Sequence, residues 1–326
     1  MAKICIIKTS SLGDVLHCLP ALTDAQKALG NVQFDWVVEE NFAEIPAWHS
    51  AVNQVIPIAI RRWRKQLFTK QTYQQWHAYK QQLQAHRYDA VIDAQGLIKS
   101  ALFATRLARG EKFGYDRKSI REPLASCFYD KTFAIDYQQH AVERIRQLFA
   151  QSLGYALPES KGDYGIVQHF QQSYSSKPYI IFVHATTRAD KHWLDSEWKK
   201  LAEKITALFP DLAIRLPWGN QTEKQRAEWI AQGLPNVIIL PKSNLTELAH
   251  QIANAKAVVS VDTGLAHLTA ALDVPNITLY GATNPKLIGC YGKNQYYLHK
   301  GSMVEICVED VLEQLQKSFK TKKCDK

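Results

Sequence analysis

The sequence has no long hydrophobic run, and its cysteines are few and scattered. No apolar stretch approaches the roughly 20 residues that a membrane-spanning helix needs. The short apolar stretch at the N-terminus is soon broken by Lys8 and Asp14, which is unlike a secretory signal. The six cysteines, at positions 5, 18, 127, 290, 307 and 324, form no close pairs. This scatter favours reduced thiols in the cytosol over a disulfide framework or a zinc site.

Three motifs that commonly bind phosphate or metal are also missing. No G-x-G-x-x-G follows the first predicted strand, which argues against a nucleotide-dependent oxidoreductase, and no G-x-x-x-x-G-K-[ST] loop occurs. No D-x-D pair of the kind that often holds a metal and a diphosphate is present. A phosphorylated ligand must then be met by backbone N–H groups, hydroxyls and cations. We expect neither a cofactor nor a bound metal.

What is present is a regular alternation of strands and helices. At 326 residues, 46% hydrophobic and 22% charged, the chain suits about two globular domains. The alternation predicts an α/β fold of two doubly wound Rossmann-like domains facing each other across a cleft. We expect an N-terminal domain over 1–165, a linker over 166–178 and a C-terminal domain over 179–326. The last helix, over 309–319, can pack back on either domain.

The hydrophobic pattern sets the predicted elements. Strands are predicted over 3–7, 34–38, 54–60, 89–93, 179–183, 212–216, 237–240, 257–261 and 276–280. Helices are predicted over 15–28, 73–85, 97–109, 141–153, 196–208, 223–231, 245–254 and from about 262 to 272.

Two strand–loop–helix units indicate phosphate chemistry. The apolar run 257–261 leads directly into Asp262, Thr263 and Gly264, with His267 one turn later. A helix that starts abruptly leaves backbone N–H groups unpaired and aimed at one spot, which suits an anion. The loop after the strand over 179–183 adds Thr186, Thr187 and Lys191 at an equivalent place in the same sheet. This convergence predicts a diphosphate site.

Other polar strand ends leave alternatives open. Glu223 suits sugar hydroxyls and a first-turn helix cap equally well, and the loop 281–285 can form part of the same wall. In the N-terminal half, Asp14 follows Gly13 at a helix start, where a capping role competes with that of a general base. His17 is as easily a packed histidine as a participant. Residues 93–96 are candidates for holding the second substrate.

The net charge of +9 is concentrated in clusters. The densest cluster, Arg61, Arg62, Arg64 and Lys65, directly follows a predicted strand, where open α/β sheets bind ligands. Its possible partners are nucleic acid, an anionic membrane surface or a phosphorylated substrate. The lysines of the C-terminal tail are more simply a solvated face.

These motifs together resemble the lipopolysaccharide heptosyltransferases of type I in glycosyltransferase family 9. The matching segments are 8–17, 92–96, 184–193, 216–219 and 260–272, in order over nearly the whole chain. The resemblance implies a glycosyltransferase B fold, ADP-L-glycero-D-manno-heptose as the donor, and the first Kdo of Kdo2-lipid A as the acceptor. It also implies a protein in the cytoplasm, peripheral on the cytoplasmic face of the anionic inner membrane.

The resemblance also assigns roles by position. Asp14 resembles the catalytic base of an inverting, metal-independent transfer. The residues that resemble the donor site are Thr186, Thr187, Lys191, Glu223, Asp262, Thr263, Gly264 and His267. The residues that resemble ligands of acceptor phosphates and Kdo carboxylates are Ser10, Arg61, Arg62, Arg64, Lys65 and Arg121. The loop 281–285 departs from the pattern, with Ala282 and Asn284 where proline and aspartate are expected.

Two rival functions remain at this point. The enzyme that adds the second heptose has a different N-terminal loop, so it ranks lower. A basic nucleic-acid-binding protein fits the charge but does not need the predicted diphosphate site, so we expect no nucleic acid among the partners.

Overall fold

The computed structural model describes residues 1–170, 177–281 and 284–321 of the chain. The chain divides into two compact units, Met1–Ile166 and Val167–Lys326. Each unit contains a six-stranded sheet whose neighbouring strands pair in parallel. The predicted fold class, two doubly wound α/β sheets, is therefore confirmed.

The first unit is built on the strand order β3-β2-β1-β4-β5-β6. Its central strand is buried on both faces, because helices cover both sides of a parallel sheet. The strands are β1 (Ala2–Ile7), β2 (Val32–Glu39), β3 (Val52–Ile58), β4 (Ala90–Asp93), β5 (Lys112–Tyr115) and β6 (Lys131–Phe133). The helices are α1 (Leu12–Leu16), α2 (Leu19–Leu29), α3 (Glu44–Ala47), α4 (Ile60–Trp63), α5 (Lys70–Gln84), α6 (Ile98–Ser100) and α7 (Ala141–Leu153).

Three predicted elements of this unit were wrong in extent. The single helix expected over 15–28 is two helices, because Pro20 lies in the first turn of α2 and a proline cannot continue a preceding helix. The helix expected over 97–109 is α6 followed by a π-helical turn, Ala101–Thr105. The strand expected over 54–60 runs over Val52–Ile58, and α4 begins at Ile60.

The second unit repeats the same topology, with the order β12-β11-β10-β7-β8-β9. Its strands are β7 (Tyr179–Val183), β8 (Ala213–Leu216), β9 (Val237–Ile239), β10 (Val258–Val261), β11 (Asn276–Tyr280) and β12 (Gln295–His299). Its helices are α8 (Val167–Phe170), α9 (Asp195–Leu208), α10 (Gln221–Ala231), α11 (Leu245–Ala253), α12 (Gly264–Ala271), α13 (Pro285–Ile288) and α14 (Val308–Thr321).

Both ends of the second unit pack on its own core. The segment expected as a linker begins with α8, whose buried Phe170 lies edge-on against His250 of α11, with 4.9 Å between ring centroids. Residues 171–176 of that segment lie outside the described residues. In the last helix, Val311 and Leu315 are fully buried in the core that also contains Ile205 of α9.

Strand order places the candidate sites. In each sheet the direction of winding reverses beside the first strand, between β1 and β4 in one unit and between β7 and β10 in the other. Open α/β sheets bind ligands outside the carboxyl ends of the strands at such a switch point. Among the helices of the described residues, none has the length and apolar character to cross a membrane.

Candidate active site

At the switch point of the first sheet, the side chain of Gln95 joins the loops that follow β1 and β4. Its Oε1 accepts hydrogen bonds from the backbone N–H groups of Thr9 (2.8 Å) and Ser10 (3.0 Å). The Lys8 ammonium, itself buried, donates to the Ala94 carbonyl at 2.9 Å. These bonds fix the loop that carries Ser10 and leads into α1.

A buried carboxylate holds Gln95 in turn. Asp93 is fully buried and accepts from the N–H groups of Gln95 (2.9 Å) and Gly96 (3.0 Å) and from the Thr105 hydroxyl (2.6 Å). Burial raises the pKa of Asp93, and the hydrogen bonds to Thr105 and to the backbone oppose that shift. Asp93 is thus a structural group beneath the candidate site. Thr105 is the last residue of the π-helical turn.

Asp14 occupies the third position of α1. Its Oδ2 accepts from both the backbone N–H and the hydroxyl of Ser11, each at 2.8 Å. Asp14 therefore takes part in capping α1, one of the two roles that the sequence left open. The same hydrogen bonds fix the orientation of its half-buried carboxylate at the carboxyl edge of the sheet. His17 is buried one turn later, with its ring centroid 5.4 Å from that of His140.

Among the basic residues expected to bind an acceptor, Arg62 is committed elsewhere. Its guanidinium binds Glu40 through Nε–Oε1 and Nη2–Oε2, both 2.9 Å, and donates to Gln75 at 2.8 Å. The hydrogen bond from Arg62 lowers the pKa of Glu40. Sequence reasoning grouped Arg62 with its basic neighbours, but in the structure its guanidinium is already hydrogen-bonded to Glu40 and Gln75.

The other basic residues are exposed at or beyond the same edge. The Arg61 N–H donates to Glu39 at the end of β2, and its guanidinium lies 5.7 Å from the centre of the Phe42 ring. Arg64 and Lys65 follow on the surface beyond α4. Arg121 is brought to this edge because its neighbour Glu122 donates its N–H to Gly96 and accepts from Ile98 N–H at 2.7 Å.

In the second unit, two loops converge as the sequence predicts. The Lys191 ammonium lies 2.5 Å from Asp262 Oδ2, and the two side chains are only 16% and 9% exposed. The Thr186 hydroxyl lies 3.3 Å from the Asp262 carbonyl. The loop after β7 and the loop after β10 therefore form one corner of the sheet edge, with Thr187 exposed beside it.

The N-terminus of α12 completes this corner. Thr263 takes the extended conformation of an N-cap, and its side chain makes no cap bond to the helix. Gly264 is the first helical residue, and His267 is buried one turn in. The first N–H groups of a helix have no partner within it, and the helix dipole favours negative charge there. Together with Lys191, this end of α12 can bind a diphosphate.

Glu223 has the local role that competed with sugar binding. Its Oε2 accepts from Gly219 N–H at 2.6 Å and its Oε1 from the Asn220 side-chain amide at 2.8 Å, while its own N–H donates to Asn220. The side chain therefore stabilises the start of α10 at the end of the neighbouring strand β8. In the loop 281–285, Ala282 and Thr283 lie outside the described residues.

Sequence reasoning missed one buried titratable group at this edge. His184, the first residue after β7, is fully buried, with its ring 6.5 Å from that of Trp198. Burial, followed by the nearby charge of Arg226, lowers the pKa of His184 to about 4. The ring is therefore neutral at physiological pH and acts as part of the core. Among the described residues, no group of three His, Cys, Asp or Glu side chains is placed to hold a metal ion.

The model of glycosyltransferase family 9 (heptosyltransferase) matches residues 76–314. Lipopolysaccharide heptosyltransferase 1 of Salmonella typhimurium is 57% identical over 295 residues, which cover 90% of this chain and 92% of the relative.

Two solved structures have the same fold over almost their whole length. E. coli heptosyltransferase WaaC with ADP is 52% identical, with a TM-score of 0.94, over 97% of this chain and 99% of that chain. E. coli heptosyltransferase WaaC with ADP-2-deoxy-2-fluoro heptose is 51% identical, with a TM-score of 0.91, over the same shares.

Proposed function

The chain belongs to glycosyltransferase family 9, and from that premise we propose that it transfers L-glycero-D-manno-heptose to the first Kdo of Kdo2-lipid A. It is a glycosyltransferase that transfers heptose in lipopolysaccharide core biosynthesis, with an ADP-heptose as donor. The acceptor, the stereochemistry and the role of each residue are the proposal.

The donor diphosphate binds the corner formed by the loops after β7 and β10. The observation that carries this assignment is the Lys191–Asp262 pair beside the N-terminus of α12. The ammonium, the hydroxyls of Thr186, Thr187 and Thr263, and the first N–H groups of α12 all suit an anion. Negative charge grows on the diphosphate as the sugar departs, so fixed donors here stabilise the transition state more than the ground state.

Asp14 is the catalytic base of an inverting displacement. Its carboxylate accepts the proton of the Kdo hydroxyl as that oxygen attacks the anomeric carbon of heptose. The bond from the anomeric carbon to the β-phosphate oxygen breaks on the opposite face, and its electron pair leaves with ADP. Glycoside hydrolases use two carboxyl groups because their leaving group needs a proton, whereas a diphosphate leaves without one. One base therefore suffices, and the two bonds from Ser11 hold it in place.

The acceptor binds the basic carboxyl edge of the first sheet. Kdo carries a carboxylate and lipid A carries phosphates, and both favour charge-assisted bonds to arginine. Arg61, Arg64, Lys65 and Arg121 are exposed cations there, and Ser10 lies in the loop that Gln95 fixes. The same charge supports peripheral attachment to the cytoplasmic face of the anionic inner membrane.

The test is mass spectrometry of products made by the purified protein. ADP-heptose with Kdo2-lipid A should yield ADP and an acceptor that is heavier by one heptose. Acceptor that already carries one heptose should not be extended. Extension of that second acceptor alone would assign the protein to the following step and contradict the proposal.

A further inference from the structure

Beside the proposed acceptor edge, two large apolar side chains project from the first unit. Phe68 is 101% exposed and Leu67 is 62% exposed, in the loop between α4 and α5. Tyr73, on the first turn of α5, is 65% exposed. Single apolar residues on a surface need no explanation, but adjacent ones with aromatic neighbours mark an interaction surface.

The loop that carries these side chains is held at both ends. Gln66 N–H donates to the Trp63 carbonyl at 2.9 Å, and Thr69 N–H donates to the Gln66 carbonyl at 3.3 Å. The Thr69 hydroxyl then caps α5 by accepting from Thr72 N–H at 3.2 Å. The two apolar residues, called the 67–68 tip from here on, are therefore presented on a fixed turn.

An aromatic cluster supports the tip from behind. Trp63 lies 5.9 Å from both Trp76 and Tyr79, and Trp76 lies 5.9 Å from Phe103, measured between ring centroids. The Trp63 indole N–H donates to Gln75 at 2.9 Å, which fixes its orientation. A cavity of about 380 Å³ opens on this cluster and is bordered by Leu67 and Tyr73. The tip and the cavity mouth form one apolar face.

The charge around this face identifies its partner. Residues 45–88 contain no aspartate or glutamate, while residues 61–88 contain seven cations: Arg61, Arg62, Arg64, Lys65, Lys70, Lys80 and Arg87. Arg64 and Lys65 precede the tip and Lys70 follows it, all exposed. A protein partner for an apolar patch does not require a stretch without acidic residues, whereas an anionic lipid surface favours one; of the seven cations, Arg62 is paired with Glu40 from outside the stretch. Aromatic and aliphatic side chains flanked by lysine and arginine are the pattern of proteins that lie in the membrane interface.

We propose that the 67–68 tip inserts into an anionic lipid bilayer, with Arg64, Lys65 and Lys70 against the lipid headgroups. The inference rests on the proposed lipid acceptor. It deepens that proposal by naming how the first unit attaches to the membrane in which the acceptor lies. The cations supply long-range attraction. The tip adds apolar burial that salt does not screen, so binding should retain a salt-resistant part.

The test is co-sedimentation of the full chain with vesicles of phosphatidylethanolamine and phosphatidylglycerol, compared with vesicles of phosphatidylcholine. The wild type should bind the anionic vesicles and keep part of that binding at high salt. The double variant Leu67→Ser/Phe68→Ser should bind at least about tenfold more weakly, since each buried methylene changes affinity about fourfold. Lys70→Gln should cost about fivefold at low salt, and Phe68→Trp should retain binding.

Two controls keep the result decisive. Leu208→Ser removes an exposed leucine of the second unit, 53% exposed, and should leave vesicle binding unchanged. Transfer to a water-soluble, fully deacylated Kdo acceptor should be normal in Leu67→Ser/Phe68→Ser, which shows that the variant is folded and active.

Either of two outcomes would overturn the insertion. One is vesicle binding by the double variant that equals the wild type at low and high salt. The other is a wild type that forms dimers which the double variant cannot form, since the tip would then contact a second copy. Absence of transfer to any Kdo acceptor would reject the proposed function and leave the vesicle result to decide the insertion.

Discussion

Removing the Lys191 ammonium should weaken ADP binding and destabilise the second unit together. Lys191→Met leaves the 9% exposed Asp262 carboxylate without its cation, at the edge where the diphosphate is proposed to bind. A hydrogen bond to a charged group contributes about 1.5–3 kcal/mol, so ADP affinity should fall about 10- to 150-fold. The free energy of unfolding should fall by about 1–3 kcal/mol, because Asp262 stays desolvated while it loses its partner.

The matched control is Lys204→Met. Lys204 pairs with Glu309 on the surface of the same unit, where both side chains are largely exposed. This variant removes the same charge but should change stability by less than about 1 kcal/mol and leave ADP affinity unaltered.

Titration calorimetry with ADP and denaturant-induced unfolding measure the two effects. Adding Asp262→Asn to Lys191→Met should restore most of the stability without restoring ADP affinity. Wild-type ADP binding by Lys191→Met would refute the reasoning, since the lysine would then serve only to neutralise Asp262. Equal losses of ADP affinity in both lysine variants would show a general charge effect instead.

Four further predictions follow from the geometry. Asp14→Asn should lower turnover by about 10²–10⁴-fold with unchanged ADP affinity, and turnover near that of the wild type would remove Asp14 from the role of base. Gln95→Ala should lower kcat about tenfold, because the N–H groups of Thr9 and Ser10 lose the oxygen to which they donate hydrogen bonds. Gln95→Glu should retain turnover, because a carboxylate oxygen can still accept those hydrogen bonds. Equal losses of turnover in both variants would argue for a merely structural role. Arg61→Ala/Arg64→Ala should raise the acceptor KM about tenfold and leave ADP affinity alone, and equal losses for both substrates would reject the assignment. Burial lowers the pKa of His184 to about 4, so the contribution of the neutral ring to the free energy of unfolding should be fully present above pH 6.5 and fall by up to about 3 kcal/mol as the pH drops to 4. Unfolding measured against pH should show a shallower fall for His184→Gln than for the wild type. An unchanged pH profile would contradict the lowered pKa.

His49 contributes to the same acid-labile window in the first unit. Burial lowers its pKa to about 4 as well, so its protonation also favours the unfolded chain as the pH falls. Asp93 acts in the opposite direction, because a raised carboxyl pKa favours the folded chain on protonation. The free energy of unfolding of His184→Gln should therefore still fall with decreasing pH, but less steeply than that of the wild type.

The sequence was most informative where burial dictates residue type. Central strands of a parallel sheet are apolar on both faces, so β1, β7 and β10 stand out as continuous runs followed by polar residues. The loops after β7 and β10 meet as expected, at the Lys191–Asp262 pair, and the diphosphate site there stays a prediction. The edge strands β6 and β12 are partly exposed, so no apolar run marks them, and β5 is an inner strand of only four residues; all three were missed.

Side-chain partners were the part that the sequence could not supply. Arg62 belongs to the same basic run as Arg61, but its guanidinium binds Glu40, directly after β2, and Gln75 on α5, and the sequence does not show these partners. Glu223 is likewise hydrogen-bonded to Gly219 and Asn220 of its own turn, and its binding to the donor stays a prediction. A long polar side chain can reach several hydrogen-bond partners, and the tertiary structure determines which of them it meets. The break at Pro20 was different, since the signal was present in the sequence.

A crystal structure of the protein with ADP tests the central claim most directly. The account predicts diphosphate oxygens within hydrogen-bonding distance of Lys191, the threonines of the two loops and the first N–H groups of α12. ADP bound elsewhere on the second unit, with this corner empty, would contradict it.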